Sequence, residues 1–176
     1  MNKSSAVKYP ITARLLHWVM AVIILSMLFL GVSMIQSFAP WQNVALSLHK
    51  SFGTLVFILV GVRLINRLLF KPPALPSDLP HWQAFAGRAT HVLLYTAMIA
   101  MPLSGWLMQS AAGLEVSVFG LFNLPLIAPE NIKLYSLSRE LHGLTAWLFF
   151  GLILLHIAAA LYHKLIRRDD VLDSML

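Results

Sequence analysis

The sequence predicts an all-α integral membrane protein: a four-helix, up-and-down bundle with both termini in the cytoplasm. Of its 176 residues, 59% are hydrophobic and 11% charged, where a soluble domain carries about a quarter charged. Four segments reach the roughly 20 apolar residues needed to cross the hydrocarbon core. Lysines and arginines then divide ten to three between the two sides, the asymmetry that sets orientation. A single transmembrane domain over residues 1–176 is expected, without a soluble domain, repeat or low-complexity tract.

The first span, about 15–36, is apolar all round: "LLHWVMAVIILSMLFLGVSMI". It is longer than a signal-peptide core, and "SFAP" makes a poor cleavage site, so it reads as an uncleaved span. The second, about 47–69, carries charges at both ends and reads as the least hydrophobic. The third, about 91–111, contains Pro102, which should kink the helix or free a carbonyl. The fourth, about 142–163, begins with "HGLTAWLFFGLILLH", thirteen uncharged residues between two histidines.

The inner side holds Lys3, Lys8, Arg14, Arg63, Arg67, Lys71, Arg88, Lys164, Arg167 and Arg168; the outer side holds Lys50, Lys133 and Arg139. These cations flank apolar spans and record topology, so the net charge of +6 implies no nucleic-acid partner. The inner loop "KPPALPSDLPHWQAFAGR" cannot be helical through its proline-rich first half. The outer loop between spans three and four is apolar around Phe119 to Ile127, and a loop of that kind lies on or dips into the membrane interface. There are no cysteines, which excludes disulfides, iron–sulfur clusters and thiolate zinc sites. Histidine is left as the main metal ligand.

Alternating helix direction gives each histidine a depth. His17 and His91 fall near the inner ends of spans one and three, His49 near the outer end of span two, and His81 in the inner loop. On span four, His142 lies outside and His156 and His163 inside. Fourteen residues separate His142 from His156, about 21 Å of helix rise and a return to within about 40° of the same face. Two cross-helix pairs follow, His49 with His142 at the outer depth and His17 with His156 at the inner depth. Facing imidazoles are the arrangement that holds haem iron through both axial positions, favouring electron transfer over oxygen binding. Such cofactors commonly sit in bundle interiors, and polar rings at membrane depth imply function by default.

The same offset takes His17 to Gly31 and His91 to Gly105, both at the outer depth, where a missing side chain lets a flat macrocycle approach the backbone. Helix packing is the competing reason for those glycines. His49 plus fourteen is Arg63, at the inner depth on the ligand-bearing face, a partner for haem propionates with Arg67 one turn beyond. His91 rivals His17 at the inner depth. His163 shares the face of His156, where it would reach a propionate or a quinone, or else headgroups and water. For His81 the interfacial reading stands.

"RLLHW", "LHKSFG", "MPLSGW" and "LHGLTAWLFFGLILLH" together resemble the bacterial cytochrome b561 family. That family is similar in turn to the membrane cytochrome b subunits of nickel–iron hydrogenases and formate dehydrogenases. The resemblance covers nearly the whole chain and includes four ligand positions in order. It implies a multi-pass protein of the bacterial inner membrane that binds two haem b groups, through His17, His49, His142 and His156, and exchanges electrons with quinone. It favours His17 over His91. Stand-alone members resemble superoxide oxidases, which pass the electron from superoxide to ubiquinone. The outer cations Lys50, Lys133 and Arg139 are compatible with a small anion, although Glu115, Glu130 and Glu140 lie nearby.

The sequence is thus expected to encode a di-haem oxidoreductase with no general base or nucleophile and no required partner subunit beyond lipid and quinone. One alternative is the same bundle serving a separate dehydrogenase or hydrogenase. A remoter one is a haem-free transporter relaying protons through histidine, which leaves the pairing at two matched depths unexplained.

Overall fold

The structure, a computed structural model, describes residues 7–35 and 40–176. Four long helices dominate it: α1 (Ile11–Ile35), α2 (Gln42–Leu69), α3 (His81–Ala111) and α4 (Ile132–Tyr162). All four are long and apolar enough to cross a membrane. Lys3, Gln36 at the end of the first expected span, and most of "SFAP" lie outside the described residues.

Consecutive helices pack as neighbours, α1 on α2, α2 on α3 and α3 on α4, the order of an up-and-down bundle. The buried layer is narrow. Met20, Ile24, Val56, Val60, Ala97, Met98 and Phe149 form one cluster. Phe149 is seven residues from both His142 and His156, so it fills the same helix face midway between them. Apolar residues such as Val22, Phe29, Ile58 and Leu148 point outward, which in a bilayer is contact with lipid.

Two helices begin about ten residues before their expected spans. The 31 residues of α3 rise about 46 Å, well beyond a hydrocarbon core of about 30 Å, so its first turns, with exposed His81, Trp82 and Arg88, project from the inner end. Its fixed start is Pro80, the residue just before the helix. The prolines from Pro72 to Pro80 keep the preceding chain non-helical. α4 starts at Ile132, where the Asn131 side chain accepts the Leu134 amide, a conventional N-cap. Pro102 lies inside α3.

The outer connection is not featureless. It contains a hairpin of β1 (Val116–Val118) and β2 (Phe122–Leu124), with Val116 opposite Leu124 and Val118 opposite Phe122. Phe119 and Gly120 take positive φ and the Leu121 amide bonds to the Val118 carbonyl. This is the turn handedness that suits twisted strands.

At the inner end α4 continues as a π-helical turn, His163–Arg167, and stops at Arg168 in the left-handed region. The tail then folds back. The Tyr9 amide donates to the Ser174 carbonyl at 2.9 Å and the Trp18 indole to the Met175 carbonyl at 3.0 Å. The residues leading into α1 and the C-terminal tail therefore meet on one face, the inner end of the bundle.

Candidate functional site

The bundle interior holds two polar clusters separated by the Met20–Phe149 layer. In the outer one, the His49 and His142 rings stand 6.2 Å apart, centroid to centroid, at 71°. In the inner one, His17 and His156 stand 6.2 Å apart at 70°. α4 carries one member of each pair, and α2 and α1 carry the partners.

A metal about 2 Å from one nitrogen of each of two imidazoles separates their centroids by about 6 Å. Both pairs have that spacing. His91 and His156 are closer, at 5.5 Å and 62°, short of the value the other two share. Among the described residues no three His, Cys, Asp or Glu side chains converge as a metal site. Two opposed donors instead suit a metal that brings its own equatorial ligands, as haem iron does.

The outer pair is held by neutral groups. His142 Nδ1 lies 3.1 Å from the Met101 carbonyl and 3.0 Å from the Ser104 hydroxyl, which itself donates to that carbonyl. The carbonyl can only accept, so Nδ1 carries the proton and Nε2 keeps its lone pair for a metal. Among the described residues His49 Nδ1 is buried without a hydrogen-bond partner. Glycines flank both rings: a Cβ on Gly31 would lie 3.6 Å from His49 Cε1, and one on Gly105 only 3.3 Å from His142 Cε1. The fourteen-residue offset thus takes both glycines to the outer depth, directly against the imidazoles.

The inner pair is held by charge. Arg63 donates from Nη2 to His17 Nδ1 at 3.0 Å and from Nε to the Tyr95 hydroxyl at 3.2 Å. The Arg67 guanidinium stacks over the Tyr95 ring at 5.9 Å, within cation–π range. A small cavity of about 70 Å³ opens beside them, lined by Arg63, Asn66, Arg67, His91, Tyr95 and Met175 among others. Among the described residues no carboxylate pairs with Arg63 or Arg67, whereas Lys164 pairs with Asp173 and Arg167 with both Asp78 and Asp169.

His163 donates from Nδ1 to Asp169 at 2.7 Å, which turns it into the tail. Asp169 also takes Arg167 Nε at 3.0 Å, and Arg167 reaches Asp78 of the inner loop at 2.9 Å. Burial works to raise the Asp169 carboxyl, but hydrogen bonds from His163, the Val171 amide and Arg167 outweigh it and hold the group below the ordinary carboxylate range. His81 is exposed at the first residue of α3, about 15 Å of helix rise before His91.

Sequence reasoning missed Tyr95, Ser104 and the Met101 carbonyl. Tyr95 was within reach, since it lies one turn past His91 on the same face. Ser104 neighbours Gly105, but nothing in the pattern marks a backbone carbonyl as a partner.

Comparison with known proteins places these clusters in context. The family model described as prokaryotic cytochrome b561 matches residues 8–176. Cytochrome b561 homolog 2 of Escherichia coli (strain K12) is 34% identical over 96% of this chain and 91% of its own length. Cytochrome b561 homolog 1 of the same organism is 30% identical over 73% of this chain and 72% of its own. A probable superoxide oxidase, CybB, of Yersinia pestis is 27% identical over 92% and 91%.

Proposed function

The chain belongs to the prokaryotic cytochrome b561 family, and from that premise we propose that it is a stand-alone di-haem oxidoreductase passing electrons from superoxide to ubiquinone. The family is one of haem-b-binding electron-transfer proteins, and this chain is a multi-pass protein of the bacterial inner membrane. Orientation with both termini cytoplasmic, and one transmembrane domain over 1–176, are part of the proposal.

The observation that carries it is the repetition of one geometry. Two imidazole pairs with the same 6.2 Å spacing are set about 21 Å apart along α4. In this reading His49 and His142 hold the outer haem b and His17 and His156 the inner one. Bound there, haem supplies the reversible one-electron couple; the protein supplies ligation, orientation and tuning.

The residues divide that work. Ser104 and the Met101 carbonyl fix the His142 tautomer and ring orientation. Gly31 and Gly105 leave room at the outer rings. A neutral His17 cannot both accept from Arg63 at Nδ1 and coordinate through Nε2. With Nε2 committed to iron, His17 Nδ1 would carry the proton, and the Arg63 fork, with Arg67 beside it, would be free to pair with propionate carboxylates.

The overall reaction balances as two superoxide ions, one ubiquinone and two protons giving two dioxygen molecules and one ubiquinol. The resemblance to a probable superoxide oxidase supports the donor, as do the outer cations Lys50, Lys133 and Arg139. The purified protein, given enzymatically generated superoxide and a short-chain ubiquinone, should form ubiquinol and lose that activity when superoxide dismutase is added. Inactivity alone, together with co-purification of a dehydrogenase or hydrogenase, would favour the docking-subunit alternative. Absence of a reducible b-type absorption band in fresh protein would remove the haem reading.

A further inference from the structure

The outer hairpin presents an apolar surface that no part of the described protein covers. Leu121 at its turn is 81% exposed and Phe122 51%, with Phe119, Leu126 and Ile127 close to half exposed. From Val116 to Ala128 the chain carries no charged side chain.

The segment is nevertheless firmly positioned. Val116 and Val118 are buried, and Ser51, only 2% exposed, accepts the Phe119 amide at 2.9 Å and donates to the Ser117 carbonyl at 3.4 Å. The Phe119 ring meets Phe52 edge-on at 5.2 Å. Trp106 ties the following residues to α3 by donating to the Pro125 carbonyl at 2.9 Å. The Ile127 amide bonds to the Ser110 hydroxyl. Phe119 keeps a φ of +50°, costly for an aromatic residue, and these contacts hold it there.

We infer that the β1–β2 hairpin seats its apolar tip in the bilayer boundary at the outer end of the bundle, with lipid as its partner. The helices already present apolar residues to lipid along their spans, and the hairpin packs on the outer turns of α2, so its surface continues one that lipid covers. Trp106, beside Pro125, is the residue type that favours this depth. A two-stranded sheet with open edges cannot enter hydrocarbon, because its unpaired backbone groups would have no partners. Backbone at headgroup level with side chains dipping inward satisfies both requirements.

The chain lacks cysteine, so single nitroxide labels can be placed without background. Leu121→Cys and Phe122→Cys would be labelled in the holoprotein in nanodiscs of phosphatidylcholine and phosphatidylglycerol. Leu148→Cys, facing outward on α4, and Ser77→Cys, in the inner loop, would serve as lipid and water references. Accessibility to oxygen and to a water-soluble nickel chelate would be read by power saturation. The hairpin labels should show an oxygen-to-chelate ratio several-fold above Ser77→Cys and below Leu148→Cys. A ratio equal to Ser77→Cys would overturn the inference, since the tip would then stand in water. Shielding from both reagents would also overturn it, since a second copy or another protein would then cover the tip. Two labels guard against one substitution disturbing the turn, and neither readout depends on the redox reading.

Discussion

At the outer end His142 is oriented by a serine hydroxyl and a backbone carbonyl, and the hairpin above is pinned by Ser51 and Ser110. At the inner end His17 meets a guanidinium, and the tail is closed by ion pairs joining Lys164 to Asp173 and Arg167 to Asp78 and Asp169. The ring pairs are alike in spacing while their surroundings differ in polarity. The spacing of the ring pairs therefore follows helix register, while the groups that hold each ring, and the charge beside it, differ from one end to the other. Cations favour the reduced form of a nearby centre, so Arg63 and Arg67 should make the inner centre easier to reduce than it would be without them.

The sharpest way to break this contrast is Arg63→Gln, which removes charge from one site only. The inner midpoint potential should fall by tens of millivolts, on the order of 1 kcal/mol or more at an effective dielectric near 20, while the outer one stays put. Spectroelectrochemical titration resolves the two. Equal movement of both centres would mean that the field of Arg63 is not local.

A smaller effect separates the two outer glycines. Gly105→Ala puts a methyl at 3.3 Å from His142 Cε1, tighter than an ordinary contact, whereas at Gly31 the distance to His49 is 3.6 Å. Gly105→Ala should weaken outer haem retention about tenfold, within the range for disturbing a ligand's support. Gly31→Ala should change it little. Slow haem loss to an apo-globin acceptor would measure both.

The smallest contrast concerns acid. The folded Asp169 carboxyl titrates below the ordinary 3.8. Its stabilising contribution is therefore complete above that value and lost as pH falls through the lower folded one. Hydrogen exchange at the Tyr9 amide, which donates to Ser174, should stay slow from neutral pH to about pH 4 and quicken below, after correction for intrinsic rates. The Phe119 amide, held by neutral Ser51, should show no such step.

Much of this was legible because two periodicities coincide. Hydropathy placed four spans, and fourteen residues on α4 returned His156 to the face of His142, so depth paired His49 with His142 but left His17 and His91 as rivals for His156, a choice that rested on the family resemblance. The same offset put Arg63 at the inner cluster and Gly31 and Gly105 at the outer one. The early starts of α3 and α4 were not legible. Those turns project beyond the hydrocarbon core, where the apolar run that marks a span no longer applies. The hairpin escaped because its strands are three residues long and its turn places Phe119, an unusual residue, at positive φ. Ser104 and Met101 act through a hydroxyl and a carbonyl brought near His142 by packing of α3 on α4, which no local pattern encodes.

The central claim is that α4 offers one axial imidazole to each of two haems, answered by His49 and His17. Pyridine haemochrome quantification of the purified wild type beside His49→Ala, His17→Ala and His91→Ala tests it most directly. About two haems per chain are expected in wild type and in His91→Ala. About one is expected in each of the other two variants, with a different spectral component missing from each. Two haems retained in His17→Ala, together with a loss in His91→Ala, would contradict it.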